Sequence, residues 1–383
     1  MVRRYIKVFR NSKGVTKKYN SPVQRRFYIF LCFSEYMVSS KNQKNVFSEY
    51  CIATLGSHTA LQILKGAHDE GFKTLTICKK NATKPYTMFN VADEIIEVRD
   101  FSELFKVQEQ LNKKNAIIIP HGSFVEYLRA DYPQKLTCRY FGNKEIIEWE
   151  ADRTMERQWL LKAKLKLPKI FKSPKDIKSS VIVKFHGALG GKGYFLAKNE
   201  QDFNEKIKTY PDEGYVIQEY IIGVPVYIHY FYSPLTGKLE LMGFDKRYES
   251  NVDSIGRISA RDQIALEKVD PSYVIVGNIP IVLRESLLTQ VIEMGERVVA
   301  ESKALTPNKK GLFGPFCLET ILTPELEFYV FEISARIVAG TNPYIMGSPY
   351  SQLLYDEPMS TGRRIAREIK HAIQQNRLPE VLG

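Results

Sequence analysis

Residues 181–194 of the chain read VIVKFHGALGGKGY, an apolar strand that ends at Lys184 and runs into a glycine-rich loop. The loop holds four glycines and Lys192, and the next strand is predicted over 193–197. Glycines let backbone N–H groups close around an anion, and the lysines add positive charge, so the pattern favours phosphate binding. It is not a Walker A loop, because neither a helix nor a Lys-Ser or Lys-Thr pair follows. By itself, the stretch fits an ordinary glycine-rich hairpin equally well.

The next strand along the chain, predicted over 215–220, ends in polar residues. Residues 218–223 read QEYIIG, which places Glu219 at the edge of an apolar strand. Such an edge can present backbone groups to an adenine ring between two lobes. The alternative is a strand end without a ligand.

Two carboxylates further along lie on short strands that are otherwise apolar. Residues 314–319 end at Glu319, and residues 329–334 carry Glu332, with a Thr-Pro-Glu turn between the strands. A hairpin would bring the two carboxylates together, and their repulsion raises a pKa unless a cation lies between them. Mg²⁺ bridging substrate phosphates is the natural cation, and Arg336 adds positive charge beside it. The alternative is an ordinary hairpin with solvated carboxylates.

The segment that precedes this region alternates strands with helices, which indicates a parallel, doubly wound sheet. Ligands of such sheets bind beyond the carboxyl ends of the strands, where the polar turns 56–59 and 120–123 lie. His58 and Ser123 in these turns are therefore candidate ligands, and His58 also begins a helix, where an anion is favoured. The alternative for His58 is a helix-terminal residue without a ligand. The strands of this segment are predicted at 51–55, 73–78, 94–98 and 116–119, with a helix at 102–111.

The remaining pattern divides into a helical connection and a region of hairpins. A single charged helix is predicted over 143–164, and later helices over 281–303 and 362–376. His229 alternates with apolar neighbours on one of the strands, so it faces either the site or solvent. Strands with hairpin turns are predicted at 181–185, 193–197, 215–220, 226–232 and 239–244.

The formal charge of +12 is concentrated at the N-terminus. Residues 1–50 hold eleven Lys and Arg but two Asp and Glu, whereas the rest of the chain has a net charge of +3. A basic arm for nucleic acid or acidic lipid is one interpretation. The other is a disordered tail, or translated sequence upstream of the true start, with Met37 as a candidate initiator. The apolar run at 27–33 has seven residues, and a membrane span needs about 20.

Five scattered cysteines without a Cys-x-x-Cys pair argue against a zinc knuckle and against a disulfide framework. We expect a protein of the reducing cytoplasm without a nucleic-acid or membrane partner.

In their order along the chain, these elements resemble the ATP-grasp superfamily. From Ile52 to the C-terminus, the sequence is similar to one family within it, the archaeal formate-dependent 5-formaminoimidazole-4-carboxamide ribonucleotide synthetases. The resemblance rests on IAT to KGA (52–67), PHGSF (120–124), RYESNVD (247–253), GNIP (277–280), RESL (284–287), EISAR (332–336) and GTN (340–342).

The resemblance implies an α/β and α+β architecture, with a Rossmann-like domain followed by a two-lobed ATP-grasp domain. The expected divisions are a basic extension (1–50), a Rossmann-like substrate-binding domain (51–145), a linker helix with the first ATP-grasp lobe (146–225), and the second lobe with the metal site (226–383). The implied activity is that of a carbon–nitrogen ligase that uses ATP and formate to formylate 5-aminoimidazole-4-carboxamide ribonucleotide through formyl phosphate. Its cofactor would be Mg²⁺ or Mn²⁺, and a homo-oligomer is possible.

The resemblance also implies roles for individual residues. Lys184, Gly190, Gly191, Lys192, Gly193, Glu219 and Glu249 would bind ATP; His58, Ser123 and Asn278 would bind the nucleotide substrate; Glu319 and Glu332 would bind the metal. From its position, Arg336 would stabilise the transferring phosphoryl group or formyl phosphate. Three alternatives stay open: an ATP-grasp ligase acting on a related nucleotide, a non-catalytic nucleotide-binding protein, and a nucleic-acid binder built on the basic arm.

Overall fold

The computed structural model describes residues 46–129, 131–185, 194–210, 214–249, 252–266 and 274–383. Residues 47–383 form the compact unit to which the following description applies. Its described residues form three sheets, one parallel and two antiparallel. Within the described residues, no helix combines the length and the apolar character of a membrane span.

The first sheet has the strand order β3-β2-β1-β4-β5, and every pair in it is parallel. The central strand β1 is buried along its whole length, as expected for a sheet covered on both faces. The predicted doubly wound unit is confirmed, and the turns after β1 and β4 become neighbours. The strands are β1 (Cys51–Leu55), β2 (Lys73–Lys79), β3 (Glu94–Val98), β4 (Ala116–Ile118) and β5 (Arg139–Tyr140); the helices are α1 (Ala60–Asp69), α2 (Lys84–Met88), α3 (Leu104–Lys113), α4 (Gly122–Leu128) and α5 (Tyr132–Lys135).

Two helices, α6 (Lys144–Ala151) and α7 (Arg153–Lys162), lead to the second sheet, which is antiparallel with the order β6-β9-β7-β8. Alternate residues of β7, Val181, Val183 and Phe185, are buried in its core, which leaves Lys184 on the opposite face. Its elements are β6 (Ile170–Phe171), β7 (Val181–Phe185), β8 (Tyr194–Ala197), α8 (Glu200–Lys206) and β9 (Tyr215–Glu219).

The third sheet is antiparallel, with the order β12-β11-β10-β13-β14. The predicted turn between β10 and β11 is confirmed, and Gly237 in it has a φ of 70°. The strands are β10 (Val224–Ser233), β11 (Lys238–Glu249), β12 (Ile275–Ile281), β13 (Gly314–Leu322) and β14 (Phe328–Ser334); the helices are α9 (Val252–Ile255), α10 (Ala260–Ala265), α11 (Leu288–Leu305), α12 (Pro349–Leu354) and α13 (Thr361–Gln374). Short 3-10 helices include Phe101–Glu103, Glu285–Leu287 and Ala339–Tyr344.

Two predicted helices were wrong in their extent. The helix expected over 143–164 is interrupted at Asp152, where the backbone is extended. The carboxylate of Asp152 accepts hydrogen bonds from the N–H groups of Thr154 and Met155 in the first turn of α7. An Asp in this position begins a new helix. The helix expected over 281–303 starts only at Leu288, because residues 275–281 pair with β11 as an edge strand.

The C-terminal helix α13 returns to the first sheet and packs on α1. A Cβ atom on Gly66 would lie 2.2 Å from the backbone nitrogen of Arg363, so glycine permits this close helix contact. Beside it, Glu70 forms ion pairs with Arg363, Arg367 and Lys370. This contact packs the segment that follows β14 against the first sheet. Residues of both therefore lie at one cleft.

Candidate active site

The two predicted metal carboxylates lie opposite each other. Strands β13 and β14 pair with Glu319 facing Glu332, and the ladder shifts register immediately after Glu319. Glu319 is 2% exposed, whereas solvent reaches Glu332 from the cleft. The charge of Glu319, and then burial among protein atoms, raise the pKa of the Glu332 carboxyl. The predicted hairpin is confirmed, and the charge of Glu319 disfavours ionisation of Glu332 unless a cation is present.

The carboxylate pair fits a divalent cation. One oxygen of Glu319 pairs with Arg247 of β11, but Oε2 is buried and has no hydrogen-bond partner among the described residues. A buried carboxylate oxygen without a partner is costly, and a metal ion would satisfy it. No group of three or more His, Cys, Asp and Glu suited to a metal occurs in the described part of the chain. The remaining ligands would therefore come from water and phosphate, which is how Mg²⁺ is commonly bound.

Arg247 is a site residue that the sequence reasoning did not single out. Its guanidinium carbon lies 3.9 Å from the ring centroid of Tyr227, and the group also contacts Glu319. Only its membership of the string RYESNVD could have indicated it.

Arg336 lies two residues after β14 and lines the same cleft. Its guanidinium pairs with Glu150 of α6 at 3.0 Å, and the second oxygen of Glu150 accepts a hydrogen bond from the N–H of Ala335 at 2.9 Å. The buried Nε of Arg336 has no partner within the described residues. Glu150 thus fixes the orientation of the guanidinium group, and Nε–H is left without a partner among the described residues. This contact was not predicted, because residues 143–164 had been interpreted as a linker.

Lys184 brings the second sheet to the carboxylates. Its ammonium lies 5.9 Å from the ring centroid of Phe331, the neighbour of Glu332. Burial, and then Arg153, lower the pKa of Lys184, while the nearby carboxylates, Glu332 the strongest of them, act in the opposite direction. The charges of Lys184 and of the Glu319–Glu332 pair are therefore close enough to interact. Gly190, Gly191, Lys192 and Gly193 lie outside the described residues.

A third carboxyl group, that of Glu156 in α7, lies behind β14 and was not predicted. It accepts a hydrogen bond from the N–H of Ile333 at 2.6 Å, and burial together with the charge of Glu332 raises its pKa to about 9. At neutral pH this group is therefore protonated, so it supports the strand without adding a further negative charge beside Glu332.

The turns at the carboxyl ends of β1 and β4 bring His58 and Ser123 together. The ring of His58 stacks on that of His121 with 5.3 Å between centroids, and Ser57 Oγ donates to Ser123 Oγ at 2.7 Å. His121 is fully buried; its Nε2 bonds the carbonyl of Leu55 at 3.0 Å, and its Nδ1 accepts from the N–H of Ser123 at 3.3 Å. His121 therefore orients both predicted ligands.

His58 is open to the cleft but has a strained backbone, with a φ of 55°. Its carbonyl accepts a hydrogen bond from Asn342 at 3.0 Å, and Gln62 of α1 bonds both Thr341 and Asn342. Burial first, and then the neighbouring His121, Arg336 and Arg247, hold the pKa of His58 well below its usual value. The ring is thus neutral at physiological pH.

Asn278 of β12 lies in the wall of the same cleft. Its Nδ2 donates to Asp245 Oδ2 at 2.7 Å, and Asp245 Oδ1 is 2.7 Å from His229 Nε2. His229, for which two orientations were open, is 1% exposed and lines the cleft.

Glu219 and Glu249 lie at the ends of β9 and β11. A carboxylate oxygen of Glu219 accepts from the N–H of Lys169 at 3.0 Å, and the N–H of Glu249 donates to Asp253 at 2.6 Å. Neither residue lines the cleft described here, so their proposed contacts with ATP stay predictions.

The cleft has a volume of about 180 Å³. It joins predicted metal, phosphoryl and nucleotide residues in one space. Its lining includes His58, Tyr227, His229, Asp245, Arg247, Asn278, Cys317, Glu319, Glu332, Ser334, Arg336 and Gly340.

Replacing His121 by Asn should reduce the dependence of stability on pH. Burial lowers the pKa of His121 to about 3, whereas an unfolded histidine titrates near its ordinary value of 6.5. As pH falls from 6.5 toward 3, the unfolded chain takes up a proton that the folded protein does not, so stability falls by up to about 1.4 kcal/mol per pH unit. Urea unfolding between pH 4.5 and 7 should show a shallower slope for the variant, whose amide oxygen can still accept from Ser123. Equal slopes for the two proteins would exclude this contribution.

Comparisons with known proteins give the family and the fold of the chain. Two family models match: a protein of unknown function (DUF1246) over residues 52–171 and a domain of unknown function (DUF1297) over residues 197–383. A solved structure, the IMP biosynthesis protein PurP from Thermococcus kodakaraensis, superposes with a TM-score of 0.68 and 31% identity, covering 87% of this chain and 100% of that one. The ADP complex of an N5-carboxyaminoimidazole ribonucleotide synthetase, 14% identical with a TM-score of 0.61, covers 85% of this chain and 77% of that one and shares its fold.

The curated relatives are more similar in sequence. The 5-formaminoimidazole-4-carboxamide-1-(beta)-D-ribofuranosyl 5'-monophosphate synthetase of Pyrococcus horikoshii is 56% identical over 339 residues, which cover 86% of this chain and 99% of the relative. The synthetase of the same name from Methanocaldococcus jannaschii is 46% identical over 364 residues, covering 91% of this chain and 100% of the relative. The protein therefore belongs to the family of 5-formaminoimidazole-4-carboxamide-1-(beta)-D-ribofuranosyl 5'-monophosphate synthetases.

Proposed function

We propose that the protein uses ATP to join formate to the amine of 5-aminoimidazole-4-carboxamide ribonucleotide, a step of IMP biosynthesis. The names of the relatives support this reaction. The observation that carries it is the position of the Glu319–Glu332 pair and Arg336 in one cleft with His58 and Asn278. Phosphoryl transfer and nucleotide binding would take place together in that cleft.

The first step activates formate, because a free carboxylate is a poor acyl donor. A formate oxygen attacks the γ-phosphorus of ATP, ADP leaves, and formyl phosphate forms. Lys184, with Lys192 and Gly190, Gly191 and Gly193, would hold the phosphates. Glu319 and Glu332 would hold Mg²⁺ or Mn²⁺, and the metal ion would neutralise negative charge on the phosphates.

The second step transfers the formyl group. The amine nitrogen attacks the formyl carbon, the carbon–oxygen bond to phosphate breaks, and the nitrogen loses a proton. Arg336 would stabilise the phosphate oxygens as negative charge develops on them, since it lines the cleft and Glu150 fixes its orientation. Because formyl phosphate reacts readily with water, the cleft should be closed during this step.

The other proposed contacts position the substrates. His58 and Ser123 would bind the ribonucleotide at the carboxyl ends of β1 and β4, where the neutral His58 can accept or donate a hydrogen bond. Glu219 and Glu249 would contact ATP at the edges of β9 and β11. We further propose a cytoplasmic location, in line with the free cysteines found in the described residues.

A related reaction, in which another carboxylate or another nucleotide is used, is the second candidate. Formate is too small to leave a recognisable motif, so an assay must separate the two. We expect ADP release, followed with a coupled assay, to require both formate and the aminoimidazole carboxamide ribonucleotide. ADP release that is independent of formate, or no release at all, would reject the proposed reaction. Acetate and bicarbonate serve as alternative carboxylates in the same assay.

A further inference from the structure

Three side chains in the cleft wall form a hydrogen-bonded chain that the proposed chemistry leaves without a complete explanation. Asp245 of β11 is 1% exposed and lies between His229 of β10 and Asn278 of β12. Its Oδ1 is 2.7 Å from His229 Nε2, and its Oδ2 accepts from Asn278 Nδ2 at 2.7 Å. Neither Asp245 nor His229 has a part in the steps described above.

The chemistry of the carboxylate fixes the direction of both bonds. An ionised carboxylate only accepts hydrogen bonds, so Asn278 must turn its NH₂ group toward Asp245. The opposite orientation would place the amide oxygen against a carboxylate oxygen and lose a charge-assisted hydrogen bond. For the same reason, Nε2 of His229 carries the hydrogen. The amide oxygen of Asn278 is therefore directed away from Asp245.

Asp245 cannot easily turn away from these partners. The 3-10 helix that begins at Ala339 packs directly over it: a Cβ atom on Gly340 would lie 2.1 Å from Asp245 Oδ1 and 2.7 Å from Cε1 of His229. Glycine at 340 therefore permits a close approach that confines both side chains. Cys317, which pairs with His229 on the other side of β10, is fully buried as well.

We infer that Asp245 is a positioning residue that presents Asn278 to the nucleotide as a hydrogen-bond acceptor. This inference rests on the proposed function, in which the nucleotide carries an amine and a primary carboxamide. With one N–H engaged by Asp245, Asn278 retains its oxygen and one N–H, which together complement a primary carboxamide. A nucleotide with a carboxylate in the same place would set its oxygen against that of Asn278. The three hydrogen-bonded side chains thus favour a nucleotide whose imidazole substituent donates an N–H.

The experiment measures binding of two nucleotides to the full-length protein by calorimetry, without ATP or formate. The probes are 5-aminoimidazole-4-carboxamide ribonucleotide and its 4-carboxylate analogue. We expect the wild-type protein to prefer the carboxamide by about 10- to 100-fold, the range for one well-placed hydrogen bond against an unfavourable pair. In Asp245→Asn the new amide can donate, Asn278 is free to turn over, and the preference should fall at least tenfold.

Two variants of His229 provide a graded check. His229→Leu leaves Asp245 with one partner and should weaken the preference, whereas His229→Gln keeps an N–H donor and should restore most of it. Glu240→Gln is the matched control, since it removes another carboxylate from β11, one that pairs with Arg364 outside the cleft. It should leave the ratio of the two affinities unchanged.

The outcomes separate this inference from the proposed function. An unchanged carboxamide preference in Asp245→Asn overturns the inference. So does a result in which Asp245→Asn loses affinity equally for both nucleotides and Glu240→Gln shows the same loss. If Asp245→Asn does not fold, an unchanged preference in His229→Leu overturns it instead. If wild-type discrimination is present and the variants lose it while ADP release does not require formate, the inference stands and the proposed reaction fails.

Discussion

Glu332→Gln is expected to lower turnover roughly a thousandfold, which corresponds to about 4 kcal/mol of lost transition-state stabilisation. The amide keeps the shape of the side chain but removes one of the two charges that would hold the metal opposite Glu319. ADP release at saturating substrates measures the effect, and Mn²⁺ binding followed by electron paramagnetic resonance should weaken in parallel. Retained turnover with unchanged Mn²⁺ affinity would refute the metal role.

Stability separates this effect from misfolding. Because Glu319 raises the pKa of Glu332 above its ordinary value of 4.5, stability without metal falls as pH rises from 4.5 through the raised pKa, and the loss is complete above it. The Gln variant is free of this repulsion, so its melting temperature at pH 8 should equal or exceed that of the wild type. Glu327→Gln, at the turn of the same hairpin, is the control: it loses only a surface pair with Lys166 and should keep full activity.

Arg336→Lys is expected to lower kcat about a hundredfold, within the range for loss of one preorganised donor, and to change the KM for ATP little. Lysine keeps the charge but lacks the planar guanidinium that pairs with Glu150 while the side chain lines the cleft. Steady-state assays with ATP as the varied substrate, at saturating formate and nucleotide, measure both quantities. A wild-type kcat would show that Arg336 does not act on the reacting groups.

The control for this prediction is Arg157→Lys. Arg157 lies on α7 and donates to the carbonyl of Pro168 at 2.9 Å, outside the cleft. The same chemical change there should leave kcat within about twofold, as surface changes away from a site usually do. Equal losses in both variants would point to a general loss of structure.

Local patterns were sufficient to predict the frame of the protein. Strands 51–55, 94–98 and 181–185 were predicted with the bounds that the structure has, because each is a short run of mostly apolar residues between turn residues. The hairpin that pairs Glu319 with Glu332 was predicted for the same reason, since its strands and its turn are adjacent in sequence.

Contacts between distant segments could not be predicted in this way. Glu150 reaches Arg336 across the sequence from a segment interpreted as a linker, and Arg247 reaches Glu319 across a sheet. Nothing in the residues around Asp245 indicates that it lies between His229 and Asn278. The edge strand over 275–281 was missed because it contains Gly and Pro, which usually weaken strands.

A crystal structure with Mg²⁺, a non-hydrolysable ATP analogue and the aminoimidazole carboxamide ribonucleotide tests the account most directly. It should show a metal ion bound by Glu319 and Glu332 and by phosphate oxygens, with the ammonium of Lys184 on a phosphate and the nucleotide beside His58. A triphosphate that binds elsewhere, with no metal ion between the two glutamates, would contradict the account.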